Sequence, residues 1–267
     1  MSKLHWSVDY TYASPLGADQ SQGNFEREFT QILADSLSSS RGNFSARTKT
    51  HRYTLLPNFW GGFKKGEEPN LDIGQVLIRR SLDDGNVWRY TIEHENTTSG
   101  EELFLNFTCD DKPERSLAGS WQIRTENSAD GSYSSLSLKG ECNEKSGRER
   151  EVSVTTASGL TIAAGTVERD ETLTCNWALF DIIPLLKESG RLNRLAILDD
   201  LEILKNDCRI RPLKNWVFAG DNVQHTLSGF CVFGRGHPPI YWWLTESGEV
   251  AVMSTMLGTY VLHERSD

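Results

Sequence analysis

Residues 73–95, IGQVLIRRSLDDGNVWRYTIEHE, decide the fold class. From Val87 onward the side chains alternate. Trp88, Tyr90, Ile92 and His94 fall on one face, and Val87, Arg89, Thr91 and Glu93 on the other. A period of two is the mark of a strand. Ile73 to Arg80 forms a second such run, and Asp83-Asp84-Gly85-Asn86 lies between them. Glycine tolerates positive φ, so this tetrad reads as the turn of an antiparallel hairpin.

The same reading extends outward. Upstream, residues 46–56 end in Tyr53-Thr54-Leu55-Leu56 and are stopped by Pro57. Downstream come Leu103 to Thr108, then Trp121 to Glu126 and Ser132 to Leu138 around Ala129-Asp130-Gly131. Residues 140–150 read as a polar loop. Val152 to Thr156 and Leu160 to Val167 flank Ala157-Ser158-Gly159. Towards the C-terminus, Phe230 to Phe233, Ile240 to Thr245 and Val250 to Thr255 are strands, with Glu246-Ser247-Gly248-Glu249 as a turn. Thr259 to His263 reads as a final edge strand.

Helical periodicity is confined to short stretches. Phe25, Phe29, Ile32, Leu33 and Leu37 mark one face of a helix over 24–37, with Asn24 as its cap. Trp177 to Leu186 is dense and apolar, and predicts a short helix before or around Pro184, with Asn176 as a candidate cap. Leu195, Leu198, Leu201, Glu202 and Leu204 suggest a further helix, or a helix passing into a strand near Ile203. Strand–helix alternation is missing, and hairpins dominate. The expected fold is mainly β (α+β): a large curved antiparallel sheet or half-barrel, with two or three helices packed on one face. No low-complexity linker divides the chain, so a single domain over 1–267 is expected, with a weak subdivision near 170–190.

Composition narrows the function classes. The 267 residues include 28 Lys and Arg against 37 Asp and Glu, a net charge of −9. Nucleic acid is therefore not an expected partner, since phosphate binding needs clustered cations. No apolar run reaches the length of a membrane helix, so no membrane span is expected. Residues 4–12 alternate like a strand where a secretory signal would be apolar, so the expected location is the cytoplasm, with an exported mature form as the alternative. Five cysteines, an odd number without a CxxC pair, argue for reduced thiols and against a zinc ribbon.

Chemistry-bearing motifs are sparse. GxSxG, GxxxxGK[ST] and HExxH are all missing, and no cofactor or metal is implied. Gly234-Arg235-Gly236 reads as a turn. In Glu93-His94-Glu95 the carboxylates share a face that the histidine leaves, so the three cannot ligate together. A metal site from distant His51, His94 and His225 stays open. Asp199 and Glu202 share a face if their segment is helical. Arg79 and Arg80 point to opposite faces of one strand, so at most one can meet an anion in a cavity.

Aromatic residues are the most distinctive feature, with eight Trp, eleven Phe and seven Tyr. They concentrate in Asn58-Phe59-Trp60-Gly61-Gly62-Phe63 and in Tyr241-Trp242-Trp243, which follows Gly236-His237-Pro238-Pro239. Trp60, Phe63, Tyr241, Trp242, Trp243 and His237 are the candidate ligand-binding residues. Trp242 and Trp243 must point to opposite faces of the sheet.

The segment Ile240-Tyr241-Trp242-Trp243-Leu244-Thr245-Glu246-Ser247-Gly248-Glu249, with the element order around it, resembles the periplasmic lipoprotein-carrier family. That resemblance implies a curved sheet wrapped around a helical plug and sheltering an acyl chain. This chain departs from the family in lacking an export signal and in its greater length. The same architecture also resembles a cofactor-free enzyme of bacterial pigment synthesis, so it leaves function open. The expected function is binding of an apolar or amphiphilic small molecule on the concave face of the sheet. The alternatives are a structural or partner-binding protein, and a cofactor-independent enzyme whose acid or base is His237, His94 or Asp181. The catalytic residues are otherwise unknown.

Overall fold

The computed structural model describes residues 31–37, 47–57, 73–128, 133–145, 149–189, 194–220 and 223–266. The strands of the first half are β1 (Thr48–Pro57), β2 (Gly74–Leu82), β3 (Val87–Asn96), β4 (Glu101–Asp110), β5 (Trp121–Asn127), β6 (Ser134–Glu144), β7 (Glu149–Thr156) and β8 (Thr161–Glu168). The second half holds β9 (Thr172–Cys175), β10 (Leu195–Asp199), β11 (Ile203–Pro212), β12 (Trp216–Gly220), β13 (Val223–Gly234), β14 (His237–Leu244), β15 (Val250–Ser254) and β16 (Gly258–Ser266). Helix α1 spans 31–37. Helix α2 (Leu179–Ser189) is entered through a 3₁₀ turn, Asn176–Ala178.

One sheet runs in the order β8-β7-β6-β5-β4-β3-β2-β1-β16-β15-β14-β13-β11-β10-β9, and β12 pairs with β13 beside this path. Its two ends approach each other. Asn206 Nδ2 of β11 donates to the Thr166 carbonyl of β8 at 3.0 Å, and Leu204 packs where Gly165 has no side chain. Glu171, 4 % exposed, closes the seam. Its carboxylate takes the Asp207 N–H at 2.9 Å, and its carbonyl takes Arg150 Nη2 at 2.6 Å. The sheet is thus a nearly closed barrel, and the expected half-barrel is corrected.

The interior is filled by α2. Its crossover joins β9 to β10, which pair in parallel. Parallel neighbours cannot be joined by a tight turn and need a long connection, usually a helix. Phe180 meets Tyr53 of β1 and Trp242 of β14, each with ring centres 4.9 Å apart. Trp177 lies parallel to Phe180 at 6.1 Å. Helix α1 lies on the opposite side of the sheet, where Leu33 joins Leu56, Leu227, Trp243, Val252 and Val261 in a second apolar cluster. The two helices therefore do not share one face, as had been expected. One plugs the lumen and the other covers the outside.

Other expectations are corrected locally. Residues 140–150 are not a loop: β6 runs to Glu144 and β7 starts at Glu149. The polarity belongs to an exposed hairpin. The segment expected as a second helix is the hairpin β10–β11. Asp200 and Leu201 turn it with φ of 47° and 63°, so Asp199 and Glu202 share no helix face. Asn176 does not cap α2, since its side chain bonds Asp200 instead. In the β2–β3 turn the positive φ falls on Asn86 at 55°, while Asp83 Oδ1 accepts the N–H groups of Gly85 and Val87. β16 is no edge strand, because it pairs with β1 on one side and β15 on the other. The expected N-cap Asn24, the rest of its helix before 31, and the Ala129-Asp130-Gly131 turn lie outside the described residues.

Gly140 provides a test of barrel packing. A Cβ there would stand 1.8 Å from Nε1 of Trp121. That indole is 1 % exposed and donates to the Leu201 carbonyl at 3.0 Å, so it cannot move aside. Gly140→Ala should cost ~1–3 kcal/mol of stability, the range of an overpacked core. Gly85→Ala, in a solvent-exposed turn, should stay within about 0.5 kcal/mol. Urea unfolding of both variants checks the contrast.

Candidate functional site

The inner wall of the barrel follows from strand register. Lys49, Arg80, Tyr90 and Phe107 stand side by side across β1–β4. Tyr90 stacks on Phe107 at 4.7 Å with the ring planes 4° apart. Arg80 is 3 % exposed and so requires a buried anion. Asp181 of α2 supplies it. Arg80 Nη1 donates to Asp181 Oδ1 at 2.5 Å, and the Tyr90 hydroxyl donates to Oδ2 at 2.7 Å.

The network continues through β1. Arg80 Nη2 lies 2.5 Å from His51 Nδ1. A guanidinium only donates, so Nδ1 is an acceptor and the ring proton sits on Nε2. That nitrogen faces Glu249 at 3.8 Å, and Arg265 pairs with the other Glu249 oxygen. Burial, then the charges of Arg80, Lys49 and Arg265, push His51 down to about 2, so the imidazole is neutral. Burial raises Tyr53 and Tyr90 above the usual phenol range. Burial opposes the charge of Arg80, yet Asp181 carries its pKa above the ordinary value.

Around Trp177 lies a second polar cluster. Its Nε1 donates to Asp200 Oδ1 at 2.8 Å, and Asn176 Nδ2 donates to the same oxygen at 3.1 Å. The His94 ring stands 5.8 Å from both Trp177 and Tyr260. Burial lowers the His94 pKa, against the opposing charges of Asp200 and Glu101. Among the described residues, Arg80 Nε, His94 Nε2 and Trp242 Nε1 are buried without a hydrogen-bond partner, as are Arg115 Nε and Arg150 Nε.

Chemically, the Arg80 network acts as an anchor. Each oxygen of Asp181 already accepts a hydrogen bond, and His51 accepts from Arg80. What it does is fasten α2 to β2 and β3 from inside the barrel. The polarity of Arg79-Arg80 was legible, since Arg79 points outward to Glu93 while Arg80 points inward. That Asp181 meets Arg80 was not, because 101 residues separate them.

The sequence-derived candidates do not form one wall. Trp242 is fully buried in the lumen against Phe180. Trp243 and Tyr241 stack on the outer side at 6.2 Å, where Trp216 also approaches Trp243 at 6.2 Å. His237 opens β14 opposite Gly234 across the turn, while its side chain, Trp60 and Phe63 lie outside the described residues. His51, His94 and His225 assemble no metal site, and no group of three metal-ligating side chains occurs among the described residues. All five cysteines are free thiols. No helix among the described residues is long and apolar enough to cross a membrane.

No protein-family model matches the sequence, and no curated protein matches it. Among solved structures, the chain is similar to a beta-barrel-like protein of the domain of unknown function DUF1849 from Brucella abortus. The two are 10 % identical, and the match covers 82 % of this chain and 97 % of that one with a TM-score of 0.49.

The anchor generates two predictions. Arg80→Met leaves Asp181 buried without its cation and should cost ~3–5 kcal/mol, whereas Arg80→Met with Asp181→Leu should recover much of that loss. Thermal unfolding of the single and double variants checks it. The second concerns pH. Folded His51 titrates near 2, whereas the unfolded residue titrates near 6.5. Between those values the unfolded chain binds the extra proton, so stability is full above 6.5 and falls as the pH drops. His51→Gln should flatten the stability–pH curve between about pH 6.5 and pH 4 relative to the parent. Denaturant unfolding across that range reads the difference.

Proposed function

We propose that this protein binds an apolar or amphiphilic small molecule in the barrel lumen, with α2 as the plug that gives way to it. The observation that carries the reading is how α2 sits. Together with its 3₁₀ entry turn it lays Trp177 and Phe180 on an inner wall of Tyr53, Trp242 and Tyr260. That wall is an apolar surface of the kind that lines ligand sites. The unpartnered indole N–H of Trp242 and Nε of Arg80 are donors that a ligand's polar end would satisfy. The element order and the 240–249 hairpin, which resemble the lipoprotein-carrier family, support the same reading.

A second reading is favoured by a different place. Tyr133, Leu136, Leu160 and Ile162 are exposed, at 68 %, 46 %, 64 % and 51 %, near the ends of β6 and β8. Exposed large apolar side chains gathered at a sheet end suit a protein partner.

The lumen reading is tested with cis-parinaric acid, whose fluorescence rises in an apolar site. Saturable binding is expected. Asp181→Asn, which weakens the hold on α2, should tighten that binding about tenfold, a change of ~1.4 kcal/mol. Trp242→Ala should weaken it. An absence of saturable binding, or equal affinity in all three proteins, would overturn the lumen site.

A further inference from the structure

We infer that α2 stands in the lumen where the ligand goes, and that the ligand is an ionised carboxylic acid with an apolar body, its carboxylate taking the place of Asp181 on Arg80 and Tyr90. This rests on the lumen reading above and names the chemistry of its occupant. Two adjacent residues of α2 show what the wall accepts. The Asp181 carboxylate meets Arg80 and Tyr90 at 2.5 and 2.7 Å. The Phe180 ring meets Tyr53 and Trp242, each with ring centres 4.9 Å apart. A molecule whose carboxylate is bonded directly to an apolar body presents the same two groups to the same wall.

The buried cation makes the carboxylate a requirement. Arg80 is 3 % exposed and cannot give up its proton. If α2 withdraws, Asp181 leaves with it, and a neutral occupant strands a guanidinium in an apolar lumen. Removing one partner of a buried ion pair is far more costly than exchanging it for another of the same charge. A second cation stands on the same inner row: Lys49, 5 % exposed, is opposite Arg80 in the register of β1 and β2. An amphiphile with a positive head is therefore opposed twice.

The donors fit a carboxylate released from a helix. Arg80 Nη1 and the Tyr90 hydroxyl each take one oxygen of Asp181, which uses both oxygens of a single carboxylate. Arg80 Nε is buried without a partner, because Asp181 reaches Nη1 only. A carboxylate that is not tied to a backbone is free to add that donor. The hold of α2 is weakest beside this point. Pro184 lies inside the helix and has no N–H for the Phe180 carbonyl.

The test compares cis-parinaric acid with its methyl ester, which has the same chain and fluorescence but no charge. In the parent protein the acid should bind about a hundredfold more tightly than the ester. The Arg80→Met/Asp181→Leu double variant should bind the two alike. Asp181→Asn removes the competing carboxylate for both probes, so it should tighten both by the same factor and keep the preference for the acid. Tyr90→Phe keeps the ring on Phe107 and loses one donor, so it should cut the acid-to-ester ratio about fivefold even if the double variant does not fold. Saturable binding of acid and ester with equal affinity, or an acid preference that survives in the double variant or is unchanged in Tyr90→Phe, would overturn this assignment and leave the lumen site standing. Saturable binding of neither probe would overturn both.

Discussion

A guanidinium buried inside a barrel constrains everything near it. Arg80 cannot give up its proton and is almost wholly removed from water. It requires a carboxylate within reach, and Asp181 meets that need from α2. The consequences spread outward. Tyr90 must donate to the remaining carboxylate oxygen. His51, facing the same cation, must stay neutral and accept. Its Nε2–H then faces Glu249, whose charge is matched by Arg265. Breaking such a set by removing one member is expensive, whereas replacing a pair by apolar groups is often tolerated. The network therefore specifies where the helix goes more than it adds to stability.

The helix position solves a second problem. A sheet of this size, curled until its ends approach, encloses more space than its own side chains fill. The parallel pairing of β9 with β10 demands a crossover, and routing that crossover through the lumen fills it. Trp177, Phe180, Ile182 and Ile183 then belong to the same core as Tyr53, Tyr90 and Trp242. On the outer side, Trp243 belongs to a smaller core under α1. Two adjacent tryptophans thus serve two different cores, as the alternation of a strand requires.

Much of this was legible residue by residue. The period-two pattern of β3, the turn residues between β2 and β3, and the opposite faces of Arg79 and Arg80 follow from local geometry alone. The failures have equally local reasons. Residues 140–150 look like a loop because a solvent-exposed hairpin needs no apolar face. Leu195, Leu198 and Leu201 mimic a helical stripe because a doubly buried strand followed by a turn can place leucines three apart. Asn176 reads as a cap because its chemistry suits one, yet a better partner, Asp200, arrives from 24 residues away. The candidate aromatic wall was split for a related reason: the sequence shows that Trp242 and Trp243 diverge, but not which face is enclosed.

By itself the sequence determined the clearly alternating strands such as β2, β3 and β14, the turn between β2 and β3, and which residues of such a strand share a side. These depend on neighbours one to four residues apart, where sterics and hydrogen bonding act directly. The tertiary structure alone decided that β16 returns to pair with β1, that the barrel nearly closes, that α2 lies inside it, and that Asp181 meets Arg80. Each of these joins segments far apart in the chain. Its free energy comes from burial and charge pairing that exist only after the sheet has curled, so no local pattern encodes it.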